Sequence, residues 1–482
     1  MRRRRIADSG GGLPHYRGRS SDVEHGPLAG GIMVTNGGRT ERYPGAAYAW
    51  LVCIVLLIAY VFSFLDRTII SLLVIPIEHD LALSDTQVSL LQGFSFALFY
   101  AVLGLPIARM VDSGSRRAVI AWGILAWSLM TAACGLASRF WHLFLARVGV
   151  GAGEAALLPG AVSLLADCFP PRRRGLALGI FATGIFLGSG LAMILGGLLI
   201  GALDGVHIEL PLLGGAHPWQ LVFIAVGLPG IAISLAVRAL REPPRLGSAP
   251  GTDRFPLAEI GAYFRANART LACHMAGFTW LAFAGYAAAA WIPTLFIRSY
   301  GWSAAQIGVR YGLVALFTGP LGSVVGGWLG DRLEVRGRRD GKFRVGIAAG
   351  LGTLPFGIAF PLVSDGRLAL LLLTPGLFFI SFVWGLSTAA LQEIMPNRMR
   401  GLATAVYTGF LNLVGVGLGP TSVAVLAQYG LGGPAHLNVA MALVVPTGAL
   451  VSALTFWLGL KPYVATLERL NGSLALGRTQ SG

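Results

Sequence analysis

The sequence predicts an all-α membrane protein, twelve transmembrane helices arranged as two parallel six-helix repeats. Three observations carry that prediction. The 482 residues are 55% hydrophobic and 12% charged, with a mean hydropathy of +0.68, so the solvent around the core must be lipid. The apolar residues gather into twelve stretches of roughly twenty residues or more, the length a bilayer core demands. Several short motifs recur in the second half at nearly one offset, the mark of an internal repeat.

Taken in order, residues 1–46 are rich in Gly, Arg and Ser and bury too little apolar surface to fold alone, so a disordered cytoplasmic tail is expected. Spans follow at about 47–76, 86–111, 117–138, 141–166, 175–202 and 217–239, which makes 47–239 the first bundle. A Pro-rich charged linker, 240–270, contains Arg241-Glu242-Pro243-Pro244-Arg245. Spans at about 271–298, 304–330, 344–363, 368–393, 400–428 and 437–460 form the second bundle, 271–460, and 461–482 is a second cytoplasmic tail.

The repeat supports this division. Ser84-Asp85-Thr86-Gln87 returns as Ser303-Ala304-Ala305-Gln306, an offset of 219 residues that also carries Gly93 onto Gly312 and Asp112 onto Asp331. Asp167 through Ala177 lines up with Glu393 through Ala403 at an offset of 226. Two such halves are expected to be related by an axis along the membrane normal.

The formal charge of +15 raises the question of nucleic acid, but the placement of the basic residues excludes it. Of 37 Lys and Arg, 31 fall in loops and tails on one side, three on the other (Arg139, Arg298, Arg367) and three within spans (Arg67, Arg147, Arg310). That asymmetry puts both termini in the cytoplasm. The four cysteines show neither disulfide nor zinc spacing, and no cofactor is expected.

Charge at intramembrane depth marks the candidate site. The fourth span carries Arg147 and Glu154, seven residues apart and therefore on one face, about 10 Å along the axis. The first span carries Asp66-Arg67, at a depth of roughly 14 Å, between Arg147 at roughly 9 Å and Glu154 at roughly 20 Å. Ionisable groups at such depth face a bundle interior or a hydrated path. The four are expected to form one cluster in which Asp66 takes a proton, Arg67 and Arg147 tune it, and Glu154 links it to substrate or to the cytoplasmic side. A purely structural ion pair is the competing reading. Gly149-x-Gly151-x-Gly153 between the charges has no preceding strand and reads as a helix-packing surface rather than a dinucleotide loop.

These features resemble the major facilitator superfamily over residues 47–460. The loop after the second span, Ala108 through Arg117 with Asp112, Arg116 and Arg117, is similar to the family's G-x-x-x-D-R-x-G-R-K. Its counterpart is Gly327-Trp328-Leu329-Gly330-Asp331-Arg332. Phe64-Leu65-Asp66-Arg67 and Arg147 through Ala155 are similar to the N-Y-L-D-R and R-x-x-x-G-x-G-E-A signatures of the spinster family. The resemblance implies a bacterial-type member in the inner membrane, with a lipid-like amphiphile as cargo and similar roles for the four charged residues.

Asp112 and Asp331 are assigned to a cytoplasmic gate, each against a helix N-terminus in the opposite half, at the starts of spans eleven and five. Arg332 belongs to the same loop motif, and Arg174 and Arg400 either join the latch or face anionic headgroups. Arg310 has two readings, a charge offered to the cavity or a side chain snorkelling outward. Trp280, Tyr286 and Trp384 either line an amphipathic cavity or face lipid. No P-loop is present, and neither Lys342 nor Lys461 fits one, which leaves a secondary transporter rather than a pump or an enzyme. The expected function is proton-coupled movement of a small amphiphilic or anionic molecule among membrane lipids. Two alternatives stand beside it: symport of an organic or aromatic acid, and a non-transporting sensor on the same scaffold.

Overall fold

The computed structural model describes residues 32–36, 39–203, 208–210, 214–245, 257–396 and 399–479. Twelve helices among them are long and apolar enough to cross a membrane. They are α1 Ala46–Leu72, α2 Asp85–Gly104, α3 Arg116–Cys134, α4 Phe140–Cys168, α5 Pro171–Leu203 and α6 Pro218–Ala239. The second half contributes α7 Ala268–Tyr300, α8 Ala304–Val335, α9 Gly341–Leu362, α10 Gly366–Glu393, α11 Arg400–Gly430 and α12 Pro434–Leu470.

Two stretches depart from the expected boundaries. In the N-terminal tail, Ile32–Asn36 pairs antiparallel with Arg39–Tyr43, strands whose Ile, Val, Thr and Tyr favour a pleated surface. At the other end the last helix does not stop near 460 but stays helical to Thr479, since nothing in that run after Pro462 interrupts it.

The repeat is visible in local chemistry. Ser84 and Ser303 both cap a helix with a reciprocal bond to Gln87 and Gln306, which satisfies the first free backbone amides of α2 and α8. The preceding helices both end in a left-handed residue at the same offset of 219, Ala82 with φ 50° and Gly301 with φ 65°.

The halves meet along two seams of small residues. In one, α5 lies against α8, and a Cβ at Gly308 would stand 2.5 Å from the Met193 carbonyl oxygen while one at Gly312 would stand 2.7 Å from that of Gly190. In the other, α2 lies against α11, where a Cβ at Gly93 would stand 2.1 Å from the Val416 carbonyl oxygen. Both helices of this second seam have π-helical turns there, Leu90–Phe94 and Leu411–Leu418, which widen the backbone locally. In lipid no hydrophobic drive pulls helices together, so such close backbone contact supplies the association.

The ends of the bundle differ. At the face opposite the termini, the far face, Arg298 of α7 bonds Glu78 and Asp85 of the first half, and Thr86 Oγ1 donates to Gln428 Oε1 at 2.7 Å. Slightly deeper, Gln92 Nε2 donates to the Ala290 carbonyl at 3.1 Å. The terminal face is held within each half instead. Arg116 pairs with Asp167 and, at 3.1 Å, with Glu242; Lys342 pairs with Glu393 and, at 2.9 Å, with Glu334. The conformation is closed at the far face.

Candidate functional site

The α-helical part of α1 ends at Thr68 and continues as a 3-10 turn over Ile69–Leu72, deep in the first bundle. That change leaves carbonyls near the end of the α-helical part without regular partners. Arg147 of α4 supplies them, Nη1 donating to the Asp66 carbonyl at 3.0 Å and Nη2 to that of Arg67 at 3.5 Å. Ser71 Oγ takes the Thr68 carbonyl at 2.9 Å. The Arg147 guanidinium, with no exposed surface, thus fixes the bend that presents the neighbouring acid and base.

One α-helical turn apart on α1, Ser63 and Arg67 both reach Glu154 of α4. Ser63 Oγ donates to Glu154 Oε2 at 2.8 Å and Arg67 Nη2 to the same oxygen at 2.5 Å. Arg67 is further held between aromatic rings, 4.1 Å from the centroid of Phe96 and 4.7 Å from that of Phe64. Its guanidinium also lies within hydrogen-bonding reach of the Tyr286 hydroxyl, across the divide in α7. Asp66 takes a different route: its Oδ2 accepts from Thr131 Oγ1 of α3 at 3.2 Å, while its Oδ1 is buried without a partner.

The four charged residues predicted to meet therefore do meet, but with different pairing. Arg67 serves Glu154 rather than Asp66, and Arg147 serves backbone carbonyls rather than a carboxylate. The glycines between Arg147 and Glu154 act as packing surface. A Cβ at Gly151 would stand 2.6 Å from the Phe96 carbonyl oxygen of α2, and one at Gly153 2.7 Å from that of Gly123 in α3.

Two adjoining cavities lie between the halves. One of about 140 Å³ is lined by Phe64, Ser189, Tyr286, Ala289 and Trp384 among others. The other, about 120 Å³, shares Phe64, Ser189, Tyr286 and Ala289 and reaches Arg67 and Gln92. Tyr286 and Trp384 are thus at the cavity as one of their readings had it. Trp280 lines neither; it stacks edge-on with Phe283 at 4.9 Å. Arg310 also lines neither: it is exposed, and its guanidinium lies over Trp302 at 4.5 Å, the snorkelling alternative.

At the terminal face, the contacts of the described gate residues Asp331, Arg332, Arg400 and Arg117 fall within their own halves. Asp331 is 74% exposed at its side chain and its partner is Lys342 of the same half, at 3.6 Å. Arg332 lies over Trp328, and Arg400 Nε donates to the Met395 carbonyl at 3.2 Å. Arg117 Nη1 donates to the Leu240 carbonyl at 2.5 Å, and Arg174 is half-buried with its Nε unpartnered. The side chain of Asp112 lies outside the described residues. Arg116 instead clamps the start of the linker: Glu242 accepts from its backbone amide and its Nε, and Nη2 donates to the Pro243 carbonyl. Ser63 and Thr131 were missed from sequence. Ser63 stands four residues before Arg67 and so shares its face, whereas nothing in the sequence around Thr131 points to Asp66.

A twelve-helix bundle in two repeats, with a buried acid-base cluster beside a central cavity, is the architecture of a membrane transporter. The chain belongs to the Major Facilitator Superfamily, whose family model matches residues 56–420. It is 30% identical over 428 residues to an MFS-type efflux pump of Mycolicibacterium smegmatis, covering 87% of this chain and 94% of the relative. It is 28% identical over 387 residues to a probable L-galactonate transporter of Escherichia coli, covering 75% and 81%. Among solved structures, a bacterial homologue of the human lysosomal transporter spinster, inward-facing and unoccupied, superposes with a TM-score of 0.71 at 28% identity over 88% of this chain and 98% of that one. Within the superfamily the chain is spinster-like.

Proposed function

We propose that the protein is a proton-coupled secondary transporter that moves an amphiphilic small molecule by alternating access, with both termini in the cytoplasm. The observation that carries this reading is the buried Arg67–Glu154 pair, whose Arg67 lines a largely apolar cavity between the halves. An apolar lining suits acyl chains or rings, and a single paired charge suits a polar head. Protonation of Glu154 would release Arg67 to a substrate headgroup, and the unpartnered Oδ1 of Asp66 is a second position open to a proton. Deprotonation would re-form the pair, so the Glu154 carboxylate and the substrate compete for one guanidinium. The one-sided distribution of Lys and Arg supports the orientation.

The test is reconstitution into proteoliposomes with a fluorescent lysophospholipid and an imposed pH gradient. Gradient-driven movement is expected in the native protein and loss to background in Glu154→Gln and Asp66→Asn. Undiminished movement in both variants would overturn the coupling. A second reading, transport of an organic acid, is favoured by the Arg67 face in the second cavity and by the similarity to the galactonate transporter. Competition of lysolipid movement by L-galactonate would support it.

A further inference from the structure

At the far face, remote from the Asp66 cluster, a second acid-base cluster bridges the halves. Arg298 Nη1 and Nη2 donate to the two carboxylate oxygens of Asp85 at 2.9 and 2.8 Å, and Nη2 also donates to Glu78 Oε2 at 2.6 Å. Glu78 belongs to the short helix Val74–Leu81 that follows α1, and Asp85 is the first residue of α2, so both acids come from one half and the base from the other. The Asp85 side chain is 2% exposed, that of Glu78 12% and that of Arg298 24%. Two carboxylates against one guanidinium leave a net negative charge in a nearly dry site when both are ionised. The second oxygen of Glu78, Oε1, is buried with no donor, yet the Asp85 carboxyl stands within hydrogen-bonding reach of Glu78.

We propose that Glu78 and Asp85 share one proton, taken from the far-face solution as the halves close there, so that this cluster is a pH-sensing latch separate from the intramembrane site. The proton binds Glu78 and is donated to Asp85, which neutralises the cluster and gives the orphaned oxygen a bond. Opening withdraws Arg298, exposes the acids and returns the proton to solution. The inference rests on alternating access but not on any role of Asp66 or Glu154.

The surroundings fit. Burial pushes the Glu78 carboxyl up to about 8, the hydrogen bond to Asp85 adding to the rise and the Arg298 charge opposing it. Asp80 on the same short helix is engaged elsewhere, by His79 at 3.2 Å, His217 at 3.0 Å and the Trp219 indole at 2.7 Å. From α7 the facing charge is Arg298, and from the start of α2 it is Asp85. In an open, hydrated latch Glu78 would titrate near the ordinary value of about 4.3. Closing therefore takes up a proton between that range and about 8. The stabilisation of the closed face is complete below the ordinary range and lost as pH rises through about 8.

The experiment places spin labels at two exposed far-face positions of the full chain in nanodiscs, Arg139→Cys in the first half and Arg367→Cys in the second, and measures their distance distribution across pH 5 to 10. The native latch is expected to give one short distance at low pH and a longer population rising with a midpoint near 8. In Glu78→Gln, the neutral mimic, the short distance should persist at every pH. In Asp85→Asn, which removes the acceptor of the shared proton, the midpoint should move toward acid by about one unit or more. The Asp85→Asn midpoint decides if Glu78→Gln does not assemble. A distribution insensitive to pH, a midpoint unchanged in either latch variant, or a pH response abolished by Asp66→Asn and Glu154→Gln with Glu78 intact would each overturn the proposal. Loss of transport in those last two variants with the latch response kept would leave the proposal standing.

Discussion

The two halves share a backbone plan and differ in what they bury. Through the offset of 219, Asp66 and Arg67 of α1 correspond to Gly285 and Tyr286 of α7. Through the offset of 226, Arg147 and Glu154 of α4 correspond to Leu373 and Ile380 of α10. Each of these four charges is thus replaced by a neutral residue in the second bundle, and Tyr286 and Ile380 line the cavity together with Phe64. At the terminal face the halves agree instead: Arg116 and Asp167 correspond to Lys342 and Glu393, and each pair ties two helices of its own half. A duplicated scaffold keeps its structural charge pairs twice. The charges at mid-membrane, costly to bury, occur in one copy.

If that contrast is functional, its largest consequence lies in the charged half. Glu154→Ala leaves the buried Arg67 without its counter-ion and should cost roughly 3–5 kcal/mol, seen as a lowered unfolding midpoint in detergent, whereas Ile380→Ala should cost about 2–4 kcal/mol through its cavity alone. Equal sensitivity of both variants to pH would break the comparison, since only the first site holds ionisable side chains. Next in size are the seams. Gly93→Ala places a methyl 2.1 Å from a backbone oxygen across α11 and should increase thiol accessibility at the far face more than Gly312→Ala, whose methyl meets its nearest backbone oxygen at 2.7 Å. A reversed order would show the α5 and α8 seam to be the tighter one. The smallest expected effect is Tyr286→Phe, which removes a hydroxyl facing Arg67 without emptying the cavity. Substrate affinity should fall by about 1 kcal/mol with the unfolding midpoint unchanged, read from binding isotherms on the purified protein.

Much of this was legible in the sequence because hydropathy over twenty residues is a local property. The span positions, the repeat offsets, the shared face of Arg147 and Glu154 and the packing role of the glycines between them all rest on helix geometry alone. Pairing was not legible. Arg67 sits beside Asp66 in the chain, yet consecutive helical residues point about 100° apart, which sends one side chain to Glu154 and the other to Thr131. Arg298 was visible only as one of three basic residues on its side, since its acids lie more than two hundred residues away.

The sequence by itself determined that twelve helices cross a membrane as two sixfold repeats and that two of them, α1 and α4, carry opposite charges at similar depth. Only the tertiary structure decided which acid meets which base, that Arg147 caps a bend of α1, and that the halves are closed at the far face. The physical reason is that chain position along a helix fixes depth, one coordinate of three. Rotation about the axis and the choice of neighbour follow from how small residues let backbones approach, which depends on both partners at once.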